Sequence, residues 1–168
     1  MECKKFTISL LVANKHGVLT RIAGLFAKRA YNIDNLSVGK TEDPTISRMT
    51  IVTECDEEIK EQIVKQLEKL IDVKYVQIME NQTSVMRELM LIKIKMENGM
   101  NIQLMEAINV FRAKVIDMAP DSIIVEITGQ TDKLNAFIQY VKIFGIMELA
   151  RTGLTALKRG SETLEQRS

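Results

Sequence analysis

A chain of 168 residues with 46% hydrophobic content can bury a real core, either as one domain or as two of about 80 residues each, near the lower limit for independent folding. Its 23 basic and 22 acidic residues are mixed along the chain and leave a net charge of +1, so no basic field marks a nucleic-acid or anionic-membrane partner. No apolar run approaches the roughly 18 residues of a membrane span, and the N-terminal Met-Glu-Cys-Lys-Lys-Phe-Thr has no signal-peptide character, which predicts a cytoplasmic protein with Cys3 and Cys55 reduced.

Phe6, Ile8, Leu10 and Val12 alternate on one face of a predicted strand over residues 5–13. A polar turn at Gly17 leads into a helix over 17–30 with Leu19, Ile22 and Phe26 as its apolar stripe, and Tyr31-Asn32-Ile33 begins a strand over 32–40. Glu42-Asp43-Pro44-Thr45 is a turn, because Pro44 lacks a donor and fixes φ. A third strand covers 46–54, with Met49 and Ile51 on one face. Asp56 is the predicted N-cap of the next helix, whose first turn holds Glu57 and Glu58, whose basic end holds Lys65 and Lys69, and whose buried stripe is Ile59, Ile63, Leu67 and Leu70. Residues 72–79 close the unit as a strand, with an irregularity between Val73/Tyr75 and Val76/Ile78.

Strand-helix-strand-strand-helix-strand folds as a four-stranded antiparallel sheet with two helices on one face. The order then recurs: a strand over 89–96, a helix over 102–113, short strands over 115–118 and 122–128, a helix capped by Thr131 and ended by Gly145, and a strand over 146–151. The chain is therefore predicted to be α+β, two tandem ferredoxin-like βαββαβ units, over residues 1–80 and 85–160. The polar segment 80–84 joins them, Leu154-Thr155-Ala156-Leu157 is available to pack, and 161–168 is expected to be a frayed tail.

The stretch from Asn14 to Leu36 carries the candidate site. A strand, a glycine turn and a helix N-terminus make an anion-binding corner, since the first helical N–H groups have no intrahelical partners and carry the positive end of the helix dipole. With one glycine and no P-loop lysine-serine pair, the corner suits a carboxylate better than a phosphate cluster. The amides of Asn14 and Asn32 can serve both ends of a zwitterion. On residues alone the plainer readings stay open: a turn glycine at Gly17, a turn-capping Asn14 and a strand-edge amide at Asn32.

Over nearly the whole chain the ordered set NKHGVLTRIAGLFAKRAYNIDNLSVG, DPTISRMTI, VMRELMLIKI, FRAKVIDMAPDSIIVEITG, DKLNAFI and FGIMELARTGLTALKRG resembles the small regulatory subunits of acetolactate synthase (acetohydroxyacid synthase), in which an ACT domain precedes a second domain. The resemblance implies a homodimer through ACT domains, without catalysis or cofactor of its own. It also implies a large catalytic subunit as partner, which uses thiamine diphosphate, Mg and usually FAD, and which this chain would activate and make sensitive to feedback inhibition by valine, or by leucine or isoleucine. Carried over by residue, the effector site is Asn14, Gly17, Val18 and Leu19 of one copy with Asn32 and Ile33 of the facing copy. Two positions depart from the family pattern, Ala13, where an acid is frequent, and His16, where Pro or Ser is frequent.

Other functions fit less well. An RNA-binding module of the same element order needs aromatic residues on its first and third strands, where only Phe6 is present. No GxGxxG, HExxH or GxSxG motif points to an enzyme, and no helix-turn-helix to a transcriptional regulator. His16, the single histidine, reads as a solvated turn residue, and two cysteines outside any CxxC motif exclude a zinc site. Cys3 and Cys55 fall on neighbouring antiparallel strands, so the two sulfurs could lie close together, with reduced thiols favoured by the compartment. Arg48 fits an outward solvated position and a subunit contact equally; Arg87, Glu88, Arg112 and Arg151 are assigned no site; and Met86, Met90, Met96, Met100 and Met105 read as core filling.

Overall fold

A computed structural model describes residues 3–96 and 101–165. The chain divides into two compact units, the first built from the chain up to Met86 and from Leu154 onward, the second from Arg87–Gly153. Each holds an antiparallel four-stranded sheet with two helices on one face, the predicted architecture.

In the first unit the elements are β1 (Lys4–Ala13), α1 (Val18–Lys28), β2 (Asn35–Lys40), β3 (Ile46–Cys55), α2 (Glu57–Leu67) and β4 (Val73–Met79), with strand order β2-β3-β1-β4. Alternate residues Ile8, Leu10 and Val12 of β1 and Met49 and Ile51 of β3 meet Val18, Ile22 and Phe26 of α1 and Ile63 and Leu67 of α2. The α1 stripe is thus an i, i+4, i+8 row, and Leu19, expected to be in it, is 45% exposed because it stands one position round the helix. Phe6 packs against this core under the ammonium of Lys60, 4.7 Å from the ring centroid. The expected cap holds: Asp56 accepts from Ile59 N at 2.8 Å. The strand irregularity lies one residue earlier than expected, where Leu11 pairs with Tyr75 and Val12 with Val73, leaving Lys74 as the extra residue.

β2 begins three residues later than the predicted 32, so Asn32 and Ile33 lie in a loop. Ala30, at φ 55°, ends α1 in the left-handed region with Tyr31 N donating to Phe26 O. The chain then reaches β3 before the ladder starts, with the Thr53 hydroxyl donating to Asn32 O at 2.6 Å and Asp34 N to Val52 O at 2.9 Å.

The opposite face of this sheet carries a polar row, Ser37, Thr50, Ser9 and Gln77, in register across all four strands. It also carries a second apolar cluster of Leu11, Met79, Met86, Ala156 and Leu164. The chain returns here after Gly153: Asn35 Oδ1 accepts from Leu154 N at 2.9 Å, the Ser37 hydroxyl donates to Leu154 O at 2.6 Å, and β9 (Thr155–Lys158) follows. Arg159 N donates to Thr83 O at 2.9 Å. This return bears on two expectations. The second domain is expected to run to residue 160, and by packing the residues from Leu154 group with the first unit. The tail was expected to fray from 161, yet Leu164 is only 6% exposed, because the sheet's second face offers it an apolar seat; residues 166–168 lie outside the described residues.

β5 (Ser84–Lys95) starts in the first unit, and from Arg87 onward it joins α3 (Ile102–Val110), β6 (Lys114–Met118), β7 (Ser122–Gly129), α4 (Thr131–Val141) and β8 (Ile146–Arg151) in the four-stranded order β6-β7-β5-β8; off this path β9 pairs with β5 as a fifth strand. Met90, Ile92, Ile94, Ile123, Val125 and Ile127 pack on Leu104, Ile108, Leu134, Phe137 and Val141. Phe111 and Phe137 meet edge to face at 5.2 Å. Gly145, at φ 90°, stops the helical run as expected. Thr131 is the first helical residue rather than the cap; its hydroxyl lies 3.5 Å from Glu88 Oε2. Glu88, 3% exposed, receives two bonds from Arg151, at 2.8 and 2.7 Å, while Arg151 also donates to Asn135 Oδ1 at 3.0 Å. Met86, Met90 and Met96 are buried and Met105 packs against the core, whereas Met100 lies outside the described residues.

Replacing Leu164 by Ala should lower the unfolding free energy of the full chain by about 2–5 kcal/mol in urea titration, the usual range for a buried leucine. A change within about 0.5 kcal/mol, typical of an exposed site, would show that the terminal segment does not pack.

Candidate functional site

β1 ends at Ala13 and α1 begins at Val18, and the loop between them is held from the β2–β3 turn. Asn14 N donates to Thr45 O at 2.7 Å and Asn14 Nδ2 to Pro44 O at 2.8 Å, which leaves Oδ1 as the remaining acceptor of that amide. Lys15 N donates back to Ala13 O at 2.9 Å. Gly17 sits at the N-cap with φ 81° and ψ −7°, a left-handed conformation that disfavours any side chain, and a Cβ placed there would meet nothing within 4 Å. The space over the helix start is therefore open.

The four α-helices begin differently. α2 has the Asp56 cap and acids at Glu57 and Glu58, α3 is capped by Asn101, whose Oδ1 accepts from Leu104 N at 3.2 Å, and α4 carries Asp132 in its first turn. Among the α-helices of the described residues, α1 alone has neither a side-chain cap nor an acidic residue in its first turn. Val18 N reaches Lys15 O at 3.5 Å, and the N–H groups of Leu19 and Thr20 have no intrahelical acceptor. This terminus can take a carboxylate through two or more backbone donors and the helix dipole.

The six predicted residues fall into two groups. Asn14, Gly17 and Leu19 surround the open helix start, together with the main chain of Val18, whose side chain is buried in the core. Asn32 and Ile33 lie beyond the other end of α1, an 11-residue helix that spans roughly 16 Å at 1.5 Å per residue. Asn32 is exposed and its Nδ2 donates to Asp34 Oδ1 at 2.6 Å, while Ile33 is half-buried against the core. One chain does not bring the two groups together.

Three features near the loop were not legible in the sequence. The Asp72 carbonyl accepts from Ala13 N at 2.8 Å, and its carboxylate pairs with the Arg21 guanidinium. A cavity of about 230 Å³ lies beside them, walled by Val18, Ile22, Leu70 and Val73. Asp43 Oδ1 accepts from both Thr45 N, at 2.8 Å, and the Thr45 hydroxyl, at 2.7 Å, and these bonds, with a smaller contribution from Lys74, hold its carboxyl below the usual carboxylate range. The turn that fixes Asn14 is thus itself fixed by Asp43.

The remaining candidates stand apart from the loop. His16 is exposed. Arg48 is half-buried on the second face of the sheet, where burial pushes its guanidinium below the ordinary value and Glu42 opposes the shift. Cys3 is exposed and Cys55 buried, both free thiols; burial first, then the charge of Asp56, pushes the Cys55 thiol up. Among the described residues no three His, Cys, Asp or Glu side chains form a metal-binding group, and no helix is long and apolar enough to cross a membrane.

Comparison with known proteins gives a consistent result for both units. Residues 8–75 match a family model described as the AHAS small subunit-like ACT domain, and residues 87–160 one described as the small subunit of acetolactate synthase. The acetolactate synthase small subunit of Bacillus subtilis is 46% identical over 159 residues, covering 94% of this chain and 92% of that protein. That of Mycobacterium bovis is 47% identical over 160 residues, 95% of each chain. The crystal structure of the small subunit from Thermotoga maritima aligns with a TM-score of 0.87 at 36% identity, over 95% of this chain and 99% of that one.

The Asp43 bonds set a pH dependence. A carboxyl whose folded-state pKa is depressed stabilises the fold fully above its unfolded value, and that stabilisation is lost as pH falls through the folded value. Carbon-detected NMR titration should find Asp43 protonating below the ordinary aspartate midpoint, with the amide signal of Asn14 shifting over the same interval; an ordinary or raised midpoint would show that the turn is not held this way.

Proposed function

This chain belongs to the family of acetolactate synthase small subunits, and from that premise we propose that it is the non-catalytic regulatory partner of a large catalytic subunit, carrying feedback inhibition by valine bound between the ACT domains of two copies. The observation that carries the proposal is the bare N-terminus of α1 behind left-handed Gly17, with Asn14 fixed beside it.

The effector's carboxylate sits on the Leu19 and Thr20 N–H groups, and its ammonium faces the Asn14 carbonyl oxygen. Asn32 and Ile33 arrive from the second copy, whose α1 runs in the opposite sense across a two-fold axis. The separation of the two groups along α1 supports this reading, since a site using both requires two chains. Leu19, half-exposed at the corner, and Ile33 offer aliphatic contact to a branched side chain. Preference among valine, leucine and isoleucine rests on such contacts, where one methylene is worth about 1–3 kcal/mol.

The catalytic partner holds thiamine diphosphate, magnesium and FAD and performs the condensation; no residue of this chain is assigned to them. Activation comes from the ligand-free arrangement of the small-subunit pair supporting the catalytic subunit. Inhibition follows when the effector binds a second arrangement more tightly, because a ligand with equal affinity for both shifts nothing.

Calorimetric titration of the full chain with valine, leucine and isoleucine should show saturable binding. Asn14→Ala should weaken it on the order of tenfold or more, as expected for one hydrogen bond to a charged group. Gly17→Asp, which places a carboxylate over the anion corner at a positive φ, should abolish it and leave the holoenzyme resistant to the effector. Unchanged affinity in both variants would refute the assignment.

A further inference from the structure

We propose that Arg21 and Asp72 are the positioning pair of the effector loop: the Arg21 guanidinium ties the first turn of α1 to the α2–β4 turn and holds the Asp72 carboxylate neutralised beside the anion corner. The proposal rests on the reading of the Asn14–Gly17 loop as an effector site and names what sets its geometry and charge.

Asp72 is bonded to both flanks of that loop. On the strand side its carbonyl takes Ala13 N at 2.8 Å, at the last residue of β1. On the helix side its carboxylate takes Arg21, the residue whose own N–H closes the first turn on Gly17 O at 3.0 Å. The turn that carries Asp72 is in turn fixed, with Leu70 N donating to Leu67 O at 3.1 Å, Val73 N to Leu70 O at 2.9 Å, and Val73 in register with Val12. A loop held at both ends by one residue is pre-ordered, and a ligand binding it loses less affinity to ordering.

Charge gives the pair a second role. Asp72 and Val18 line the same cavity, so the carboxylate stands close to the positive end of α1. Its side chain is only 15% exposed. An unpaired carboxylate there would compete for the field that draws the ligand's own carboxylate and would repel it. Arg21 cancels that charge from the close of the first turn, with its guanidinium directed to the Asp72 carboxylate.

Bracing and neutralisation together predict a pattern that mere stabilisation does not. In full-length chain titrated with L-valine, Arg21→Gln should weaken binding roughly tenfold, within the usual range of coupling between interacting sites. Asp72→Asn should weaken it less, the double variant should bind more tightly than Arg21→Gln alone, and Arg21→Lys should recover most of the affinity. Thermal midpoints, measured in parallel, should not follow this order. Arg21→Gln binding like the unaltered chain, or a double variant as weak as Arg21→Gln, would overturn the proposal while leaving the effector site standing if Asn14→Ala still binds weakly. No binding of valine, leucine or isoleucine by the unaltered chain would overturn both.

Discussion

The unsatisfied start of the first helix is the constraint to which the rest of the ACT unit answers. Every α-helix begins with N–H groups that lack intrahelical acceptors, and a protein either caps them with its own side chains or leaves them to something else. Here Asp56 and Asn101 cap two helices and Asp132 supplies charge to a third, while α1 starts bare. Around that bare start the polypeptide is closely tied: Ala13 to Asp72, Asn14 to Pro44 and Thr45, Thr45 to Asp43 and Arg21 to Asp72. A segment that merely turned a corner would not need such ties. Exposed donors held rigidly are what a small anion requires, because their ordering has been achieved in folding and need not be repeated on binding.

The second face of the same sheet has a different logic. A four-stranded sheet with helices on one side leaves its other side to water unless something covers it, and here the chain itself returns to do so after an excursion through the second unit. The side chains of Asn35 and Ser37 take the N–H and C=O of Leu154, so the returning backbone is satisfied at the point of re-entry. Leu164 and Ala156 then add apolar contact to Leu11, Met79 and Met86. β2 therefore belongs to two systems at once. Its leading loop carries Asn32 and Ile33, and its first and third residues grip the chain where it comes back from Arg87–Gly153.

Periodicity made most of the fold legible, and it failed where long-range contacts override local pattern. The alternation of Ile8, Leu10 and Val12 and the Asp56-Glu57-Glu58 helix start are local signals and survive intact. β2 was placed too early because Tyr31-Asn32-Ile33 has strand-like composition, but a positive φ at Ala30 and the Thr53 hydroxyl on Asn32 O hold it as a loop. The terminal segment was expected to fray because Ser161 to Ser168 is polar, and a single leucine, Leu164, is too little pattern to reveal the seat waiting for it. Glu88 and Arg151 lie 63 residues apart, so only the register of β5 with β8 could show that Arg151 reaches the buried Glu88 carboxylate. In the candidate site the turn chemistry singles out Gly17 and Asn14 while leaving their plainer turn-glycine and turn-capping readings open, whereas Arg21 and Asp72, 51 residues apart, look like ordinary surface charges until the fold pairs them.

On the proposed reading, the position of the two half-sites makes regulation a property of the pair of chains rather than of the fold. Asn14 and Gly17 stand at one end of α1 and Asn32 and Ile33 at the other, so a ligand that needs both must add its binding energy to the association of two copies. At a concentration a hundredfold above its dissociation constant such a ligand stabilises the closed pair by about 2.7 kcal/mol, enough to shift a two-state equilibrium by about a hundredfold. The same linkage constrains the sequence. A side-chain cap on α1 would stabilise each chain by about 1 kcal/mol and would fill the donors that couple the pair. The missing cap is thus a local loss of stability that regulation requires, and on the same reading the pairing of Asp72 with Arg21 keeps that carboxylate from competing with the ligand for the bare helix end.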